Sequence, residues 1–407
     1  MNWISTISKN FSTWRGGAMY FAALLISLHA LLFYGLPLAG ILFAWLLLAV
    51  WFMFAGGAQA LLTAVPVAIF TLLLNISIQL SGLERSMYYR PHELLKSSSP
   101  DFGDVYQPNT RFSMHMPFGD IEAMEKVGIQ EPREIEYQTD ALGFRNPTNY
   151  HGQKFVLVGD SFVAGLADTQ SCITTEWLRR EHHIDTYNLG YPGDMDDYVN
   201  RVRAFRSRYG KNFHVLLFFF EGNDFIPYSA KPPRSSSLLQ RYYSWFKNSA
   251  IWRYTRALYL RGTQRHAGKN ENASLVRDVG HHPIAFYSQD LVAVANRQAL
   301  LDSQLRFTQA LQALQPNLAQ IFFVPSKYRV YARWLDPKPL PNEQWLYLER
   351  TAKQTGIPVH NLTPALEKEA ERLLPQGQYV YWRDDTHWNC NGMRTAATEV
   401  AHVLSQD

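Results

Sequence analysis

Hydrophobic and polar positions divide the chain at about residue 84. Between Arg15 and Glu84 there is no Asp, Glu, Lys or Arg, and His29 is the one side chain there that titrates near neutrality. Breaks at "YGLP" (34–37) and "AGGAQA" (55–60) leave apolar spans of about 18–35, 38–55 and 60–81. Each is close to the roughly 20 residues that a helix needs to cross a bilayer. A cleavable signal peptide has one short apolar core and a small-residue cleavage site, so it does not fit. The pattern predicts a membrane anchor of about three transmembrane helices over 1–84.

After the anchor, 85–150 is rich in Pro, Tyr, Met and Gly without a clear period, and reads as an extended, wrapping linker. From 154 the pattern changes. "KFVLVGDS", "DTYNLGYPG", "FHVLLFFFEGND", "AQIFFVPSK" and "GIPVHNLT" are apolar runs of strand length. Between them lie segments of helical spacing at 170–182, 196–210, 291–315 and 341–355, with a last helix over 391–405. In 196–210, Val199, Val202 and Phe205 fall on one face. Continuous apolar strands alternating with helices predict an α/β domain over 151–407, a parallel sheet covered on both faces. Residues 229–290 interrupt the rhythm and read as a helical insertion.

Composition narrows the classes. A formal net charge of +4 spread over scattered basic residues excludes a nucleic-acid partner. Cys172 and Cys390 make neither a metal site nor a disulfide framework. One pair in an oxidising compartment and two separate thiols fit the sequence equally.

The candidate chemistry sits where strands end. Parallel sheets bind ligands beyond the carboxyl ends of their strands, and polar, Gly-rich punctuation falls there repeatedly. Asp160-Ser161 follows the first strand, Gly190 and Gly193 the second, and Gly222-Asn223-Asp224 the third. "YWRDDTHWNCNG" (381–392) precedes the last helix and offers Asp384 and His387 three apart. Acyl transfer needs a hydroxyl activated by a neutral imidazole, a carboxylate to fix the imidazole, and donors for the oxyanion. Ser161, His387 and Asp384 supply the first set; the N–H groups of Ser161 and Gly193 and the amide of Asn223 supply the second. Singly, each is an ordinary turn, cap or core residue. Their order along the chain carries the inference.

"GDSF", "NLGYPGD", "EGND" and "DDTHWN" together resemble the four blocks of the SGNH (GDSL-type) hydrolase superfamily, over roughly 137–405. The resemblance implies a flavodoxin-like parallel sheet, and catalytic Ser161, Gly193, Asn223 and His387 with Asp384 as the triad acid. It implies no cofactor and no metal. "TDALGFRN", "VPSKYRVY" and "DTHWN" are similar to the branch of alginate and exopolysaccharide O-acetyltransferases. That branch implies a catalytic domain facing the periplasm from the inner membrane, a carbohydrate substrate and a membrane-bound acyltransferase partner. Glu221 departs from the small residue many relatives carry, and Cys390 has no role that the sequence supplies. Trp382, Trp388 and Tyr191 flank the blocks as candidate sugar-stacking residues, against ordinary packing. Reaction type stays open between O-acetyltransferase and acetyl esterase. A non-catalytic glycan-binding or scaffold subunit and a lipid or small-ester esterase are the alternatives; the complete set of catalytic side chains argues against a pure binder.

Overall fold

In the computed structural model, the structure describes residues 69, 72–81, 83, 90–224, 249–252, 254–255, 275–288, 307–315, 317–335 and 340–406. The chain divides into two units: Met1–Tyr88 with Ser235–Asn270, and Tyr89–Arg234 with Glu271–Asp407. In the first unit, 72–81 is helical, with Leu72, Leu73, Ile76 and Leu80 exposed. Among the described residues no helix is long and apolar enough to cross a membrane. The expected spans 18–35 and 38–55, and all of 60–81 but residues 69 and 72–81, lie outside the described residues.

The second unit opens with two antiparallel ladders. β1 (Lys96–Ser99) pairs with β2 (Gly103–Tyr106), and β3 (Arg111–Met116) with β4 (Arg133–Gln138). A short helix, α1 (Asp120–Glu125), lies between β3 and β4. This departs from the extended linker expected over 85–150. β3 does alternate buried and exposed residues, as a half-buried strand should, but its six residues bury Phe112, Met114 and Met116, a pattern too short to stand out in sequence.

A five-stranded sheet follows: β5 (Phe155–Val158), β6 (Thr186–Asn188), β7 (His214–Phe220), β10 (Leu318–Val324) and β11 (Val359–Asn361). All neighbours are parallel, in the order β11-β10-β7-β5-β6. By chain order within the sheet this is 2-1-3-4-5, the flavodoxin-like arrangement, whose switch point lies between β5 and β7. The central apolar runs form strands buried on both faces, with six of the seven residues of β7 buried, whereas the edge strand β11 is half-buried. The expected α/β sheet is therefore present, strand for strand.

Among the described residues this unit also has the helices α2 (Ser161–Ala164), α3 (Thr174–His182), α4 (Met195–Tyr209), α5 (Lys327–Tyr331), α6 (Glu343–Thr355), α7 (Thr363–Leu373) and α8 (Cys390–Gln406), and 307–314 is helical as well. α4 starts at a reciprocal capping box between Asp194 and Asp197. Within the expected helical insertion, β8 (Leu275–Val279) and β9 (His282–Phe286) form a hairpin instead. Its connection contains Gly280 at φ +69, where glycine costs nothing. Residues 225–248, 253, 256–274 and 289–290, and 291–306 of the expected helix 291–315, lie outside the described residues.

Cys172 and Cys390 form a disulfide with Cα atoms 5.0 Å apart. It joins the turn before α3 to the first residue of α8, settling the alternative that the sequence left open. The core beneath the switch point is aromatic. Phe162, next to Ser161, packs on Phe220 (4.4 Å between centroids), Trp388 (4.9 Å) and the ring of His387 (5.1 Å).

Candidate active site

Ser161 is the first residue of α2, where β5 turns into helix. Asp160 caps that turn by accepting the Phe162 N–H at 2.8 Å, and so shapes the backbone there. Gly165 closes the turn in the left-handed region at φ +66. The one-turn helix points Ser161 Oγ at Nε2 of His387, 2.7 Å away. Nδ1 of His387 lies 2.6 Å from Oδ1 of Asp385. These are the contacts of a serine, an imidazole base and an orienting carboxylate.

The carboxylate beside Nδ1 of His387 is that of Asp385, not the expected Asp384. Oδ1 of Asp385 also accepts the backbone N–H of His387 at 3.1 Å, an Asx turn that brings the carboxylate under the ring two residues on. Asp384 points the other way. Its Oδ2 accepts the N–H groups of Gly119 (2.7 Å) and Glu131 (2.9 Å), and its Oδ1 takes Arg133 at 3.1 Å. Its backbone oxygen accepts from Ile121 at 3.1 Å. The two adjacent carboxylates are exchanged relative to the expectation because the turn rotates Asp384 toward the β3–β4 segment.

That segment supplies what sequence reading missed. Arg133, the first residue of β4 and 4% exposed at its side chain, donates to Oδ2 of Asp385 at 2.9 Å as well as to Asp384. Its guanidinium lies 4.2 Å from the centroid of the Trp382 ring. Asp120 accepts the Thr386 N–H and hydroxyl, both at 2.8 Å, and has Oδ2 3.9 Å from Nδ1 of His387. Gly119 must be small, since a Cβ there would sit 2.4 Å from the backbone oxygen of Asp384. A single arginine or aspartate in a stretch without periodicity carries no signal at the sequence level.

Electrostatics follow from this packing. Burial works against a charged His387 ring, but the hydrogen bond and charge of Asp385, with Asp120 and Asp160, outweigh it and raise the imidazole to about 9. Burial likewise opposes the Asp385 carboxylate; His387 and Arg133 overcome this and hold it below the usual range. Asp384 is raised by burial, with Arg133 pulling against it.

Ser161, Asn223, Asp385 and His387 line one cavity of about 320 Å³. Asn223 follows β7, and its Oδ1 is enclosed without a hydrogen-bond partner among the described residues. Gly193 is not on the wall, although Pro192 before it is. Arg201 holds that turn by donating to the backbone oxygens of Tyr191 (2.7 Å) and Pro192 (3.1 Å). A Cβ on Gly193 would press on Arg201 and Asp197, both at 2.7 Å.

The aromatic candidates do not face the cavity. Trp388 is fully buried against Phe162, and Tyr191 is buried 4.8 Å from the ring of Tyr106. Trp382 is covered on one face by Arg133 and donates Nε1–H to Asp168 at 3.2 Å. Trp388 and Tyr191 are thus packed in the core, while Trp382 is half-buried. Glu221, the residue that departs from the usual block, is fully buried and paired with Arg329, and it accepts from the N–H and hydroxyl of Ser326 at 3.0 and 3.1 Å. It thus ties the end of β7 to α5.

Asp120, Asp385 and His387 also bring three potential metal ligands within 4.8 Å of one another. Each already has a protein partner: Thr386, Arg133 with His387, and Ser161 with Asp385.

Residues 285–407 match the family model described as SGNH hydrolase-like domain, acetyltransferase AlgX. The resemblance to the SGNH superfamily is borne out over this stretch. It contains Asp384, Asp385 and His387; Ser161, Gly193 and Asn223 lie ahead of it. No curated protein gives a significant match to the chain.

Proposed function

We propose that the protein is a serine O-acyltransferase that moves acetyl groups onto the hydroxyls of an envelope or exported polysaccharide, with acetyl-ester hydrolysis as the same chemistry ending on water. The observation that carries this is the unbroken chain Ser161–His387–Asp385, at 2.7 and 2.6 Å, on the wall of a cavity. The family match over 285–407 supplies the acetyltransferase class.

In the first step Ser161 Oγ attacks the acyl carbonyl and its proton passes to Nε2 of His387. The carbonyl electrons move to oxygen, where the Asn223 amide and the N–H groups of Ser161 and Gly193 are the proposed donors. Removing one such donor costs roughly 10²–10³ in rate in serine hydrolases. Collapse breaks the ester C–O bond, and His387 returns the proton to the leaving alcohol. In the second step a sugar hydroxyl gives its proton to His387 and attacks the acyl-Ser161 carbonyl; the new ester leaves and Ser161 is reprotonated. Asp385 keeps the ring in the tautomer that both steps need, and exclusion of water decides between transfer and hydrolysis.

The proposed setting is the inner membrane, with an anchor over 1–84, the catalytic domain on the periplasmic side, and a membrane-bound acyltransferase as acetyl donor. The uncharged stretch between Arg15 and Glu84 supports the anchor. Labelling of the full-length chain with a fluorophosphonate, and acetate release from an aryl acetate, test the catalytic reading. Both are expected in the wild type and lost in Ser161→Ala. A wild-type protein that is neither labelled nor active overturns it.

A further inference from the structure

The cavity holds a second imidazole that the catalytic chain does not use. His92, in the helical turn Pro91–Leu94, lines the same cavity as Ser161 and His387. Its Nδ1 is enclosed, and among the described residues neither ring nitrogen has a hydrogen-bond partner. Most enclosed polar atoms in folded proteins are satisfied, so one that is not requires a reason. Burial first, then the charges of Arg90 and His387, push the ring well below the ordinary imidazole value, so it is neutral at physiological pH. A neutral imidazole carries one donor and one acceptor, which suits an uncharged hydroxyl.

The rest of the wall says which part of a ligand would reach it. The acyl carbonyl belongs between Ser161 and Asn223, and the reacting hydroxyl belongs at His387. Asp120 is occupied by Thr386, and Arg90 lies 3.8 Å from Asp120 and 3.3 Å from the sulfur of Met124. Met116 and Met124 are apolar parts of the same wall, and Tyr287 adds a phenol to it. His92 is therefore a hydrogen-bonding wall group left over once an ester and one hydroxyl are placed.

We propose that His92 binds a second, non-reacting hydroxyl of the acceptor, so that the site selects polyols, sugars included, over simple alcohols. This rests on the acyl-serine reading above and adds to it the residue that recognises the acceptor. The bond breaks and forms nothing; it orients the acceptor so that its other hydroxyl meets acyl-Ser161 beside His387.

The test uses the full-length chain with p-nitrophenyl acetate as donor and two competing acceptors, methyl α-D-glucopyranoside and methanol. The readout is the ratio of acetylated glucoside to methyl acetate, corrected for acceptor concentration. This ratio is internal to each protein, so a variant that acylates slowly still reports. The wild type is expected to prefer the glucoside. In His92→Leu the preference falls about five- to tenfold, the size of one uncharged hydrogen bond; His92→Asn recovers part of it. A wild type without preference, or a ratio unmoved in both variants, overturns the assignment of His92 while leaving the acyl-serine intact. Absence of acetyl-Ser161 in the wild type overturns the catalytic reading, and this inference with it.

Discussion

Asp385 and His387 stand two residues apart, a spacing at which an Asx turn lets one carboxylate oxygen hold both the N–H and the ring Nδ1 of the same residue. Asp384, one residue earlier, spends its oxygens on Gly119, Glu131 and Arg133. The substitutions Asp385→Asn and Asp384→Asn should therefore separate. The first removes the carboxylate that orients the base and lowers kcat on an aryl acetate by about 10⁴-fold, by analogy with the same change in a serine protease. The second leaves the triad contacts in place and costs far less activity, but lowers Tm, because it takes a charge from three buried donors. Equal losses of kcat in the two variants would refute this division. The pH dependence has a definite sign. A protonated ring cannot take the Ser161 proton, so kcat/KM of the wild type rises with pH along a limb displaced from the ordinary 6.5 toward about 9. The same raised value stabilises the fold fully below about 6.5, a contribution lost as pH rises through about 9. A limb at or below 6.5 contradicts the contribution of Asp385.

At the scale of elements, the site is built from the parallel sheet on one side and the β3–β4 segment on the other. The first half was legible in sequence because β5, β6 and β7 are continuous apolar runs ending in Gly, Ser and Asn, and a buried parallel strand requires that pattern. The second half was not. Arg133 reaches Asp384 and Asp385 across 251 and 252 residues of sequence, and nothing local in "EPREIEYQ" shows a partner so far away. Asp384 turns away from His387 for a related reason: a three-residue spacing suits the family pattern, but the turn that rotates the carboxylates is held by donors from the β3–β4 segment. If Arg133 is a positioning residue, Arg133→Met weakens the ionisation of Asp385 and lowers kcat by about 10- to 100-fold, the worth of a charge-assisted bond. The groups facing Asp385 that remain are His387, Asp384, Asp120, Asp168, Lys327 and His92. Most of the charged ones are acidic, so the Asp385 carboxyl moves up from its depressed value and the limb of kcat/KM is displaced. Arg133→Lys keeps the charge without the fork and should restore the limb more than the rate. A variant with lower Tm but an unshifted pH profile would reduce Arg133 to packing.

At the scale of the whole molecule, the two cysteines and the uncharged amino-terminal stretch bear on one question, which side of a membrane the catalytic unit occupies. Cys172 and Cys390 are 218 residues apart and bonded. A cross-link closing so long a loop stabilises the fold by on the order of 5 kcal/mol in the chain-entropy account. It forms and persists where thiols are oxidised, outside the cytoplasm. With a short amino terminus inside, an odd number of crossings between Arg15 and Glu84 delivers the rest of the chain to that side, while two crossings would leave it in the reducing cytoplasm. A periplasm-dependent reporter joined after Asp407 should therefore be active. Protein trapped from intact cells with a thiol-alkylating mass tag should gain two tags only after reduction, and Cys172→Ser should lower Tm under oxidising conditions alone. A reporter active only in the cytoplasm, with both thiols open to the tag before reduction, would overturn the three-span arrangement and the periplasmic setting. The acyl-serine chemistry would survive that outcome, because it rests on Ser161, His387 and Asp385 and on nothing in the first 84 residues.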